Sequence, residues 1–155
     1  MKTIRIDSKM LDLLQKHRNK NSQISNELKE ILDDGLIFIN NCLLLKSFYD
    51  ANRDHLKLSY FNFDYIDYEV AINGFHIDDF SDKNYLEQGI LFIKEIENKI
   101  LEKYQNIEVE LILAKTNYGY HFTMHTIREK NNYLVDDIEK YETATLIIRH
   151  TYSNI

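Results

Sequence analysis

Proline and tryptophan are absent from this 155-residue chain, cysteine occurs once and glycine four times. Four glycines leave few backbone cradles for phosphate, and no GxxxxGKS/T, GxGxxG or GxSxG pattern is present. Nucleotide-binding loops and nucleophile elbows are therefore not expected. The single thiol, Cys42, excludes an internal disulfide, and within NNCLLLKSF it reads as the buried, inert cysteine of a cytoplasmic protein. No apolar run approaches the ~20 residues of a membrane span. The opening MKTIRIDSKM lacks the apolar segment and small-residue cleavage site of a signal peptide, which also points to the cytoplasm.

The most informative absence is local. From Leu58 to Asp82 there is no Lys or Arg, although six acidic residues fall there: Asp64, Asp67, Glu69, Asp78, Asp79 and Asp82. The overall charge of −6 comes from this window, because residues 1–57 are net +2 and residues 83–155 net −2. The chain is rich in Asn, Ile, Lys and Tyr, a bias that AT-rich codons would produce, but Lys codons are equally AT-rich. Codon supply therefore leaves the lysine-free window unexplained. An acidic chain is poorly suited to gripping phosphates, so nucleic acid is not expected as a direct partner.

The same window holds seven of the nineteen aromatics: Tyr60, Phe61, Phe63, Tyr65, Tyr68, Phe75 and Phe80. Tyrosine offers a large, rigid contact with a polar tip, and surrounding carboxylates steer a basic partner. Tyr60, Asp64, Tyr65, Asp67, Tyr68, Glu69, Asp78 and Asp79 are accordingly the expected partner-binding residues. The competing reading makes the phenylalanines core and the acids their solvated outer face, since alternating core and surface produces the same string.

The chain reads as one domain of α+β class, with helices first and an antiparallel sheet of three or more strands last. Asp7 or Ser8 can cap a short helix carrying Met10, Leu11 and Leu14 inward. Ser22 or Ser25 can cap a longer one whose Leu28, Ile31, Leu32, Ile39, Leu43 and Phe48 follow helical spacing, with a break allowed at Asp34-Gly35. Residues 58–72 fit both a strand and a helix; helical spacing of Phe61, Tyr65, Tyr68 and Ile72 is preferred, placing Asp64, Asp67 and Glu69 around an outer face beside Tyr60 and Tyr68. Ser81 is the expected cap of a long central helix over 82–104, with Leu86, Ile90, Ile93, Ile96, Ile100 and Tyr104 inward. After it the period becomes two: strands are expected from Ile107 to Leu113, Tyr120 to Arg128 and Thr143 to His150, the first two joined by a turn at Asn117-Tyr118-Gly119.

Catalytic constellations are sparse. His121 and His125 on one strand stand on the same face but ~13 Å apart, too far to ligate one ion together, and His150 is expected near one of them at most. The acid pairs Asp33-Asp34, Asp78-Asp79 and Asp136-Asp137 read as solvated turns or helix starts. No metal, cofactor or catalytic residue is expected. A small histidine-dependent hydrolase or nucleic-acid-processing enzyme is the alternative, and a homodimer built on the aromatic segment a third reading.

Residues 121–148, HFTMHTIREKNNYLVDDIEKYETATLII, carry a resemblance. A strand ending in Arg128-Glu129 is followed by Tyr133, Leu134, Asp136, Asp137, Ile138, Glu139 and Tyr141, then by the apolar Leu146-Ile147-Ile148. With NGFHIDDF at 73–80 and the helix after it, residues 73–148 resemble the immunity proteins encoded beside bacterial polymorphic and contact-dependent growth inhibition toxins. The resemblance implies a protein that binds and blocks a cognate cationic toxin domain, a nuclease for preference, by covering its cleft with an acidic, aromatic surface. Arg128, Asp136, Asp137 and Glu139 read as structural within this motif, with the two aspartates capping a turn and Arg128 closing onto them.

Overall fold

The computed structural model describes residues 1–17, 22–128 and 137–151. The chain is α+β, with five helices, a five-stranded antiparallel sheet and a two-stranded one among those residues. Strand β1 (Lys2–Ile6) leads into α1 (Ser8–Lys16), capped by Asp7. The Asp7 side chain is buried and accepts from the Met10 N–H at 2.7 Å and the Thr145 N–H at 3.1 Å, so the same carboxylate starts the helix and fastens it to the sheet. Strand β1 was not expected from the sequence; four of its five residues are exposed, so its pattern shows little contrast.

Ser25 caps α2 (Asn26–Asp34), and Gly35 ends it at φ +80°, a left-handed value that suits glycine. The expected long helix does not continue. Leu36–Ile39 and Cys42–Leu45 instead form the hairpin β2–β3, turned at Asn40 and Asn41 with φ of 53° and 64°. Positive φ at both central residues is the requirement of a type I′ turn, which asparagine tolerates. A short α3 (Lys46–Asn52) follows.

The ambiguous segment is helical where preferred: Asp64 caps α4 (Tyr65–Asn73), which passes into the two-residue strand β4 (Phe75–His76). The long helix α5 runs from Tyr85 to Lys103 and begins three residues later than expected. Ser81 does not cap it. Its hydroxyl donates to the Ile77 carbonyl at 2.8 Å, and Asn84, in a left-handed conformation, occupies the cap position. Strands β5 (Val109–Lys115), β6 (Tyr120–Thr126) and β7 (Thr145–His150) complete the chain.

The large sheet has the order β1-β7-β5-β6-β4. One face, carrying Leu111, Leu113, Phe122, Met124, Leu146 and Ile148, packs against Phe92, Ile93, Ile96 and Ile100 of α5. Each such side chain contributes about 1.5–3 kcal/mol when fully buried. Phe75 lies among Phe48, Phe80, Phe92 and Phe122 with ring centroids 5.1–5.6 Å away. A smaller core joins Cys42, Leu44, Tyr68 and Ile72.

Paired residues share a face of the sheet, which separates the histidines. His121 and His125 lie opposite α5, as expected for one face, whereas His150 lies on the α5 side and meets Glu97 at 2.7 Å. His125 stands 3.4 Å from Glu110, and His121 opposes His76 with ring centroids 5.1 Å apart. Each histidine has its own partner.

Candidate functional site

Helix α4 has two dissimilar ends. At its carboxy-terminal half, Glu69 and Asn73 share one face at i and i+4 and are fully buried. Glu69 accepts from the Leu43 N–H (3.1 Å), the Thr126 N–H (3.2 Å), the Thr126 hydroxyl (2.8 Å) and Arg128 Nη2 (2.9 Å). Asn73 accepts from the Leu45 N–H at 2.8 Å and donates to the Leu43 and Met124 carbonyls at 3.0 and 3.1 Å. The two side chains thus fill the edge hydrogen bonds that β3 and β6 do not give each other, and they join the small sheet to the large one.

Glu69 was expected on the outer face as a partner contact; it is instead the buried acceptor of this bridge. Tyr68 was expected beside it. It is 4% exposed and packs edge-on against Phe61 at 5.9 Å, where burial pushes its phenol above the usual tyrosine range. Tyr65 is half-buried, with the Arg128 guanidinium 4.6 Å over its ring. Arg128 also donates to the Asn41 carbonyl at 2.8 Å. Among the described residues Arg128 thus meets Glu69, Tyr65 and Asn41. Asp137 accepts from the Glu139 N–H at 3.0 Å, and Asp136 lies outside the described residues. Glu139 takes both the N–H and the hydroxyl of Ser8, at 2.7 and 2.8 Å, at the start of α1.

The amino-terminal end of α4 is the exposed one. A 3₁₀ turn, Leu58–Phe61, is closed by left-handed Asn62. The Asn62 N–H bonds back to the Ser59 carbonyl at 3.2 Å and the Phe63 N–H to the Leu58 carbonyl at 3.2 Å. Phe63 is left-handed as well, at φ 59°. That conformation costs a non-glycine residue roughly 1–2 kcal/mol, and in an aromatic residue it is an outlier. Its effect is directional. Phe61 turns inward onto Tyr68, while Phe63 and Tyr60 project outward, each 64% exposed. Asp64 and Asp67, both exposed, follow at the cap and in the first turn of α4, with the Asp64 carboxylate 3.0 Å from the Asp67 N–H. Lys57, which precedes the turn, is the nearest cation in sequence, and the Arg128 guanidinium lies over the ring of Tyr65, next to Asp64.

Of the eight expected contact residues, Tyr60, Asp64 and Asp67 come together here. Asp78 and Asp79 lie beyond the other end of α4. Asp79 is exposed, whereas Asp78 is half-buried and accepts from the Tyr120 N–H at 3.1 Å. It occupies the space where a Cβ on Gly119 would stand, 2.1 Å from its Oδ1, so it is held in place as part of the fold. Phe63, which the competing reading places in the core and which is not among the expected contact residues, is the residue missed. No periodicity rule marks it, because two left-handed residues reverse the direction in which its side chain points.

The fold and this surface define an α+β protein with a small aromatic-acidic projection. The chain belongs to the family described as "Uncharacterized protein PM0498 family", which it matches over residues 5–154. It is 33% identical over 141 residues to "Uncharacterized protein PM0498" of Pasteurella multocida (strain Pm70), covering 81% of this chain and 85% of that one. No solved structure matches the chain. No helix among the described residues is long and apolar enough to cross a membrane.

Proposed function

We propose that this chain is an immunity protein that binds a basic toxin domain in the cytoplasm of the cell it protects, and that it acts by occlusion rather than catalysis. The observation that carries the binding surface is the left-handed Asn62-Phe63 pair, which holds Phe63 and Tyr60 outward beside Asp64 and Asp67. Backbone strain of this kind persists where the surroundings impose it, and it clusters at ligand clamps. Two exposed rings supply anchors for a partner's pocket, and the two carboxylates supply steering toward a cationic one. The role as an immunity protein rests further on the resemblance over residues 73–148.

The test is co-expression with the product of the adjacent reading frame, followed by co-purification and a survival assay. Tyr60→Ala with Phe63→Ala should weaken binding by roughly 2 kcal/mol or more per anchor. Asp64→Lys with Asp67→Lys should slow association and flatten its dependence on salt. Protection unchanged in all four substitutions together would remove the surface from the reading. A neighbouring product that neither binds the chain nor is neutralised by it would remove the role.

A further inference from the structure

The large sheet ends on one side at β1, and no strand pairs with the outer edge of β1 among the described residues. The direction of its backbone groups follows from its ladder with β7. Met1 and Thr151 exchange both hydrogen bonds, with the Thr151 N–H to the Met1 carbonyl at 2.9 Å, and the Asp7 N–H bonds the Thr145 carbonyl at 3.2 Å. In an antiparallel pair such bonded positions alternate, so Thr3 and Arg5 also bond inward to Arg149 and Ile147. The N–H and carbonyl groups of Lys2, Ile4 and Ile6 therefore point to the open edge.

Two of these residues, Ile4 and Ile6, carry apolar side chains into solvent on the α5 side of the sheet. Ile4 is 52% exposed and Ile6 38%. Met1 and Leu101 of α5, 72% and 50% exposed, line one hollow beside them. Edge strands are ordinarily guarded by charges that repel a second strand. Here both charges of β1 are engaged within the chain, Lys2 by Glu97 at 2.9 Å and Arg5 by Glu110 at 3.4 Å.

From this geometry we infer that β1 pairs with β1 of a second copy of this chain, antiparallel about a two-fold axis through Ile4, joining two sheets into one. The register is self-consistent. Ile4 faces its own mate, and Lys2 faces Ile6 in both directions, so all three pairs use outward-pointing groups and exchange six hydrogen bonds. Thr3 faces Arg5 in the positions between. No like charges stand opposite one another, and Ile6 covers the aliphatic stem of Lys2. A five-residue strand with Met1 and Leu101 at its flank gives an interface below the ~1,200 Å² of stable complexes, so the dimer should be a weak one that forms as concentration rises. This surface is separate from the Tyr60–Asp67 projection and does not depend on that reading.

The test uses the full chain and single cysteines. Across the proposed axis the two Ile4 Cα atoms would lie ~5.5 Å apart, within disulfide reach. Ile4→Cys should therefore give a covalent dimer under mild oxidation, whereas Ile6→Cys or Lys2→Cys alone should not, and the two combined should. Cys42 does not interfere, because burial and the nearby Glu69 carboxylate push its thiol up to about 12. Sedimentation of the wild-type chain should show mass rising from 18.6 kDa toward twice that value with concentration. Ile4→Pro, which removes an outward N–H and leaves the β1–β7 ladder intact, should hold it monomeric, with Ile4→Lys as a second variant should the proline disturb folding. A chain that stays monomeric up to about 1 mM would overturn the inference, as would a dimer indifferent to both variants. Equal cross-linking of Ile4→Cys and a Ser59→Cys control would overturn it too.

Discussion

Glu69 and Asn73 show how much of this fold depends on two side chains. Between them they satisfy three backbone N–H groups and two carbonyls drawn from β3 and β6, all buried. Removing either leaves groups that water does not reach, and each unsatisfied group costs about 1–3 kcal/mol. Asn73→Ala should lower stability by about 3 kcal/mol with an unchanged urea m-value. Glu69→Ala should cost about 3–5 kcal/mol, because it also strands the Arg128 guanidinium beside a fully buried site. The double substitution should cost less than the sum, since both act on the same junction. A urea midpoint barely moved by Asn73→Ala would mean that the two sheets hold together by apolar packing alone.

At the scale of elements, legibility tracked how local the cause was. Helix α5 was legible because its period of apolar residues runs for five turns, with Leu86, Ile93, Ile96 and Ile100 inward as expected, although the fully buried Phe92 lies outside the expected stripe. Helix α4 was legible in the helical spacing of Tyr65, Tyr68 and Ile72. The β2–β3 hairpin was hidden. Ile39 and Leu43 fit a helical spacing as well as an alternating one, and the signal that separates the two readings is Asn40-Asn41 between LIFI and CLLL. On the surface, Tyr60, Asp64 and Asp67 were legible because charge and tyrosine cluster there. The burial of Glu69 was not, because the donors that make it tolerable come from Leu43, Thr126 and Arg128, up to 59 residues away. The hairpin makes a prediction at its own scale. Asn41 sits at φ 64° in the second central position, where glycine is the preferred type I′ residue. Asn41→Gly should retain or raise stability, and Asn41→Val should lower it by about 1–2 kcal/mol, as read by thermal melting. A continuous helix through Phe48 would reverse that order, since glycine would be the more damaging residue there.

For the whole molecule, the face of the sheet opposite α5 ties stability to pH. Burial lowers the imidazole of His121 below its ordinary 6.5, and the neighbouring His76 lowers it further. Burial alone would raise Glu110, but the hydrogen bond and charge of His125, with Arg149 and Arg5, outweigh it and hold the carboxyl below its ordinary 4.5. The two groups act in the same direction by different routes. For His121 the unfolded chain takes up a proton more readily than the folded one, so stability is full above pH 6.5 and declines as pH falls through 6.5 toward the folded value. For Glu110 the unfolded chain again protonates first, so its contribution is present above pH 4.5 and is lost as pH falls through the folded value. Unfolding free energy should therefore fall in two stages on acidification, the first beginning near pH 6.5 and the second below 4.5. His121→Gln should flatten the first stage and leave the second, because it removes the titrating ring without touching Glu110. Glu110→Gln should do the converse at a cost in stability at neutral pH, since His125, Arg149 and Arg5 would lose their shared carboxylate. Urea titrations between pH 3.5 and 8 on the three proteins separate the stages, and a first stage that survives His121→Gln would assign it to another histidine.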